Sequence, residues 1–205
     1  MSGKPEGSGR GRGPRPGAAK AAALLPEDWE ELSYFAVDVE TTGLDARNCR
    51  IVEIGGLLFR PADEDFEGRR IARLVNPGIP IPHVVIGVHG ITDEDVHDQP
   101  AFAEIAPEFL ELARGAVLVA HNAPFDLGFL QNELARAALP RLVNSVLDSL
   151  VMARAAFPGQ PSYSLPRLAA ALRIKQGRSH RALDDAIASA RIFVAAGKML
   201  KAGVR

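Results

Sequence analysis

A single cysteine, Cys49, stands in a chain of 205 residues. An internal disulfide is thereby excluded, and the scarcity of thiols fits a reducing compartment. No apolar run approaches the roughly 20 residues that span a bilayer, and the early segment AAKAAALL is short and broken by Lys20. Neither a membrane anchor nor a secretory signal is expected. Charge of one sign is lacking too: the formal net charge is -1, and 47% of residues are apolar. These totals describe one soluble globular domain with a sizeable core, cytoplasmic by default.

The charge is unevenly placed. Residues 1–25 carry Lys4, Arg10, Arg12, Arg15 and Lys20 against Glu6 alone. Gly and Pro dominate this leader, so it is expected to be disordered, with the folded domain occupying residues 26–205. A basic flexible arm either brushes nucleic-acid phosphates or simply keeps the chain in solution.

Alternation and β-branched residues predict strands over 33–39, 50–59 and 70–76, with shorter ones over 115–122 and 142–148. Helical periodicity predicts helices over 101–113, 124–138, 149–156, 164–172 and 181–200. The Pro-rich stretch 76–92 reads as a long, functional loop. Three early strands followed by strands alternating with helices give an α/β fold: a mixed sheet with helices on its faces.

One strand contains what strands usually exclude. In FAVDVETTGL, Asp38 and Glu40 lie two residues apart and so leave the same face of the sheet. Burying either carboxylate beside the other costs several kcal/mol unless something compensates them. Asp126 falls in the first turn of a helix, with Phe129 and Leu130 as its i+3 and i+4 neighbours on the apolar side. In the last helix, Leu183, Ile187, Ala190 and Val194 mark an apolar stripe that Ala182, Ala186 and Phe193 widen to one side, and Asp185 borders that widened side while Asp184 lies on the other flank. His180 can join Asp185 only from the loop feeding that helix, which Ser179 helps to begin. Four carboxylates gathered at one end of a sheet require cations. Oxygen donors select hard ions, Mg²⁺ or Mn²⁺, and a pair of them suits displacement at phosphorus. An imidazole can take the proton of the attacking water.

The ordered set VDVETTGL, HGIT, HNAPFDLGFL and HRALDDA resembles the DEDDh exonucleases, a family that includes the proofreading epsilon subunit of bacterial DNA polymerase III. The resemblance runs from about Ser33 to Val194. It implies a ribonuclease H-like fold of about five strands and 3′→5′ hydrolysis releasing nucleoside 5′-monophosphates. It makes Asp38, Glu40, Asp126 and Asp185 the ligands of two divalent cations, and His180 the general base. It also suggests that Thr41, Gly43 and Leu44 meet the terminal nucleotide and that His89 approaches the strand end. Asn122 and Phe125 have two readings each, a substrate contact or a structural role as helix cap and core residue. His121 reads as structural. Glu53 points inward without an evident partner.

Single-stranded DNA ends are the expected substrate. An exoribonuclease like RNase T or oligoribonuclease shares the acid set, and a non-catalytic nucleic-acid-binding module is the remaining alternative. The residues after Asp185 all read as one helix, leaving no tether to a DNA polymerase. A free-standing enzyme is therefore the expectation, with a polymerase as an alternative partner.

Overall fold

The structure is a computed structural model that describes residues 16–63, 66, 68–177 and 179–203. Five strands form one mixed sheet: β1 (Tyr34–Thr41), β2 (Ile51–Phe59), β3 (Arg70–Leu74), β4 (Val117–Ala120) and β5 (Val146–Asp148). Their order is β3-β2-β1-β4-β5. The first three pair antiparallel, and β4 and β5 run parallel to β1. This is the mixed, helix-flanked sheet that the resemblance implied.

Alternation along β1 sorts its side chains between two cores. Phe35, Val37 and Val39 pack with α4 (Phe102–Ala113) and α5 (Ala123–Arg136), where Phe109, Phe129 and Leu130 are buried. Tyr34 and Ala36 face the other way, toward Phe193 of α8 (Ala182–Ala202). The Tyr34 and Phe193 rings lie 4.8 Å apart. Trp29 stands edge-on to Phe193 at 5.9 Å, over Gly197, and is itself buried. Asp38 and Glu40 continue the even-numbered series, so they emerge on the α8 face.

Two expectations change. The leader is helical over α1 (Pro16–Ala23), where Ala21 and Ala22 are buried beside α6 (Ser149–Ala156) and α8. Five alanines in the six residues 18–23 carry strong helix propensity, and docking supplies the stability a short helix lacks. The Gly/Pro-based boundary at residue 25 is therefore wrong for this part, while 1–15 lie outside the described residues. The segment 76–92 likewise contains α2 (His83–His89), which ends at Gly90 in the left-handed region, φ 74°. Next comes the single turn α3 (Asp93–Val96), started by a reciprocal Thr92–Asp95 capping box. The remaining helix is α7 (Leu165–Ala171). Among the described residues no helix is long and apolar enough to cross a membrane.

Candidate active site

The site sits at the carboxyl end of β1. Across the antiparallel pair, Asp38 faces Gly55 and Glu40 faces Glu53. Gly55 decides how close α8 can come. A Cβ there would lie 2.0 Å from the Leu183 nitrogen and 2.1 Å from the Ala182 carbonyl carbon, so only glycine lets the first turn of α8 rest on the sheet. That contact delivers Asp185 to the two strand acids.

Glu53, the inward carboxylate with no evident partner in the sequence, is buried and fully engaged. It accepts from Arg181 Nε and Nη2 at 3.0 and 2.8 Å, and from the Ala182 backbone N–H at 3.1 Å. Glu53 thereby starts α8; Ser179 makes no cap, since the residue preceding the helix is Arg181. The buried face of α8 is centred on the widened side of the expected stripe. Leu183 and Ile187 lie at its edge, while Ala182, Asp185, Ala186, Ser189 and Phe193 are buried. Asp185 thus lies inside the stripe.

Both Asp185 oxygens are held. Oδ1 accepts from Gln176 Nε2 at 2.7 Å, and Oδ2 from the His180 backbone N–H at 2.9 Å. His180 lies in the feeding loop, as required, with φ 59° and an exposed side chain. One ligand atom each from Glu40, His180 and Asp185 lies within 4.8 Å of the other two.

Asp126 arrives from α5, 2% exposed, its Oδ1 accepting from the Val39 N–H at 3.1 Å. Asn122, at φ 73°, turns the chain into α5 but makes no side-chain cap. The capping reading of Asn122 is corrected, and the cap belongs to Asp148, which sequence reasoning missed. Its carboxylate accepts from the N–H groups of Asn122 and Ala123 and also from those of Leu150 and Val151, starting α5 and α6 together. Phe125 is half-buried with its ring 5.0 Å from Phe129.

Electrostatics mark the cluster as incomplete without cations. Burial, then the neighbouring Asp126, Asp185, Glu40 and Glu53, pushes the Asp38 carboxyl well above the usual carboxylate range. Burial, followed by Asp185 and Glu53, pushes Glu40 up to about 7. Asp126 and Asp185 are raised too, chiefly by burial, against the pull of their hydrogen bonds. The donors are hard oxygens beside one imidazole, which fits a divalent cation bound by Asp38, Glu40, Asp126 and Asp185.

Beyond the acids, Thr41 is buried and its hydroxyl donates to the Gly43 carbonyl at 2.6 Å, closing the turn. Gly43 lies against Cys49 Sγ, and Leu44 projects 86% exposed. His89 is buried; its Nδ1 accepts from the Ile91 N–H at 3.0 Å, which assigns the proton of the neutral ring to Nε2. That Nε2 makes no hydrogen bond of normal geometry among the described residues, although the Thr41 backbone lies close enough to favour the protonated ring. His121 bonds Ser149 Oγ and the Tyr163 carbonyl, a structural histidine as expected.

Comparison with known proteins agrees with this geometry. The RNase T family model, described as an exonuclease, matches residues 35–193. The DNA polymerase III epsilon subunit of Treponema pallidum is 38% identical over 175 residues, covering 81% of this chain and 79% of that protein. A PolC-type DNA polymerase III of Caldanaerobacter subterraneus is 39% identical over 173 residues, 83% of this chain. The chain spans only 12% of that polymerase's length. Among solved structures, exonuclease X in complex with 5′-overhanging duplex DNA superposes with a TM-score of 0.62 at 27% identity, covering 80% of this chain and 91% of that one.

Proposed function

This chain belongs to the RNase T exonuclease family and is a 3′→5′ exonuclease, and from that premise we propose that it trims the 3′ ends of single-stranded DNA, releasing nucleoside 5′-monophosphates. The observation that carries this reading is the meeting of Glu40, Asp185 and His180 within 4.8 Å, beside Asp38 and Asp126. DNA is favoured by the relatives: the epsilon subunit serves a DNA polymerase, and exonuclease X was solved on DNA.

Asp38, Glu40, Asp126 and Asp185 would hold two Mg²⁺ or Mn²⁺ ions, because an oxygen-only donor set favours hard cations over zinc. Bound there, the ions supply an activated water and neutralise charge on the leaving oxygen. The protein's own groups do the rest. His180, exposed on its loop and tied through its backbone to Asp185, removes the proton from the attacking water. Leu44 packs against the terminal base, and the Thr41–Gly43 bond keeps the turn that presents it rigid. The His89 Nε2–H donates to an oxygen of the terminal nucleotide. The exposed Asn122 and half-buried Phe125, at the start of the helix that carries Asp126, add contacts to the same nucleotide.

Matched 5′-labelled DNA and RNA oligomers with Mg²⁺ or Mn²⁺ test the reading. We expect a ladder of shortened DNA products and slower loss of RNA. RNA degraded as fast as DNA would favour the oligoribonuclease-like alternative; no shortening of either would refute the enzyme. Co-purification with a polymerase would add the partnership that the epsilon relatives suggest.

A further inference from the structure

Leu44 is left 86% exposed just beyond the strand acids, in the loop 42–50. That loop is stiff in itself. Its ends are zipped together, the Thr42 N–H donating to the Arg50 carbonyl at 2.9 Å and the Arg50 N–H to Thr42 Oγ1 at 3.0 Å. Within it the Asp45 carboxylate accepts from the Arg47 N–H and from Asn48 Nδ2. A loop closed in this way moves as one body, so the position of Leu44 depends on how that body is tied down.

The tie is to α5. Glu133, buried, accepts Arg50 on both carboxylate oxygens, Nε at 2.6 Å and Nη2 at 3.0 Å. Arg136 donates to the same carboxylate through Nη1 at 3.1 Å, and through Nη2 to the Ala46 and Arg47 carbonyls at 3.1 and 2.6 Å. Two guanidiniums offset the burial of Glu133. The two loop carbonyls are a different matter, because water satisfies such groups at a surface equally well. What Arg136 adds there is position. The same helix carries Asp126, about two turns earlier on its buried side, with Oδ1 accepting from the Val39 N–H. One helix thus holds an acid of the site at one end and the loop at the other.

We propose that Arg136 is a positioning residue for the hydrolysis: it latches the loop 42–50 to α5 and so sets Leu44 at the distance that seats the terminal nucleotide over the acids. The inference rests on the reading of Leu44 as the base contact. Loosening the latch weakens the hold on the strand and leaves the acids in place, so the effect falls on KM rather than kcat.

The test is a double-mutant cycle of Arg136→Gln and Leu44→Ala, read as KM and kcat on 5′-labelled single-stranded DNA in Mn²⁺. We expect each single variant to raise KM on the order of tenfold, as loss of one apolar contact does, with kcat within about twofold of wild type. The double variant should raise KM no further, because Arg136 acts through Leu44. The Mn²⁺ concentration for half-maximal activity should stay at the wild-type value in all three, which a disturbed α5 would not allow. Gly128→Leu reaches the loop by another route. A Cβ at Gly128 already lies 3.8 Å from the Ala46 Cβ, so a larger side chain displaces the loop with every latch residue present, and KM should rise likewise. Wild-type KM in Arg136→Gln and Gly128→Leu, beside a raised KM in Leu44→Ala, would overturn the latch alone. Effects of Arg136→Gln and Leu44→Ala that multiply in the double variant would overturn it too, since Arg136 would then act elsewhere. Wild-type KM in Leu44→Ala would refute the base contact and the latch with it, and DNA left unshortened by the wild type would refute the exonuclease reading itself.

Discussion

Arg181 grips Glu53 through two nitrogens, one residue beyond His180 and directly before the first turn of α8. The pair stands where Glu53 would otherwise face Glu40 across the sheet with no counter-charge. It therefore sets the height of the His180 loop over the strand acids.

Removing either partner should act on turnover through that loop. We expect Glu53→Gln and Arg181→Ala to lower kcat roughly 10–100-fold, as loss of supporting hydrogen bonds does at metal sites. The Mn²⁺ concentration for half-maximal activity should rise, and Arg181→Lys should restore part of the rate. Full kcat with only a lowered melting temperature would reduce the pair to a structural role.

Gly55→Ala tests the approach of α8 directly. The added methyl meets backbone rather than a movable side chain, so α8 must lift. Overpacking of this kind costs about 1–3 kcal/mol. The expected result is a lower unfolding midpoint in urea together with loss of hydrolysis. Wild-type activity in this variant would show that the contact is not needed.

The acids should make metal-free stability fall as pH rises. Glu40 titrates near 4.5 when unperturbed and about 7 in the fold. Between those values the folded state keeps a proton that the unfolded chain has released, so the free energy of unfolding declines with pH. The contribution is complete below 4.5 and gone above 7; Asp38, Asp126 and Asp185 shift in the same direction. Mn²⁺ should flatten or reverse the decline, since it binds the ionised site of the folded state. Urea titrations from pH 4.5 to 8, with and without Mn²⁺, check this; stability that rises with pH without metal would contradict it.

A related trade-off follows for Asp38→Asn. We expect hydrolysis to be abolished while the metal-free protein loses less stability as pH rises, because one of the buried carboxyls whose ionisation the fold opposes is gone. Thermal melts and the oligonucleotide ladder measure the two sides. A destabilised variant would mean that Asp38 makes favourable contacts without metal.

Asp148→Ala should cost more than an ordinary cap. One carboxylate starts two helices here, and a single cap is worth about 0.5–2 kcal/mol. A loss near the top of that range or above it is expected in chemical denaturation, with weaker metal binding because α5 carries Asp126. A change below 0.5 kcal/mol would show that water replaces the cap.

Much of this site was legible because spacing carries it. Asp38 and Glu40 share a face by alternation, and the apolar neighbours of Asp126 turned it inward. The partners of those acids were not legible. Arg181 and Glu53 are 128 residues apart, Asp148 and Asn122 are 26 apart, and pairing over such distances leaves no local pattern. The α8 face was centred to one side for a different reason. Its buried side runs through Ala182, Ala186, Ser189 and Phe193, which the apolar pattern counted only as a widening or not at all, because the larger Leu183 and Ile187 set the centre of the stripe. The leader was misjudged at its end, where glycine and proline give way to alanine before residue 25.

The seat of α8 on Gly55 also orders events in time. Asp38, Glu40 and Asp126 are all synthesised well before His180 and Asp185, which come only with the last described helix. A chain still emerging from the ribosome, or cut before that helix, has three of the acids and lacks both Asp185 and His180. Hydrolysis is therefore expected only once that helix has docked on the sheet.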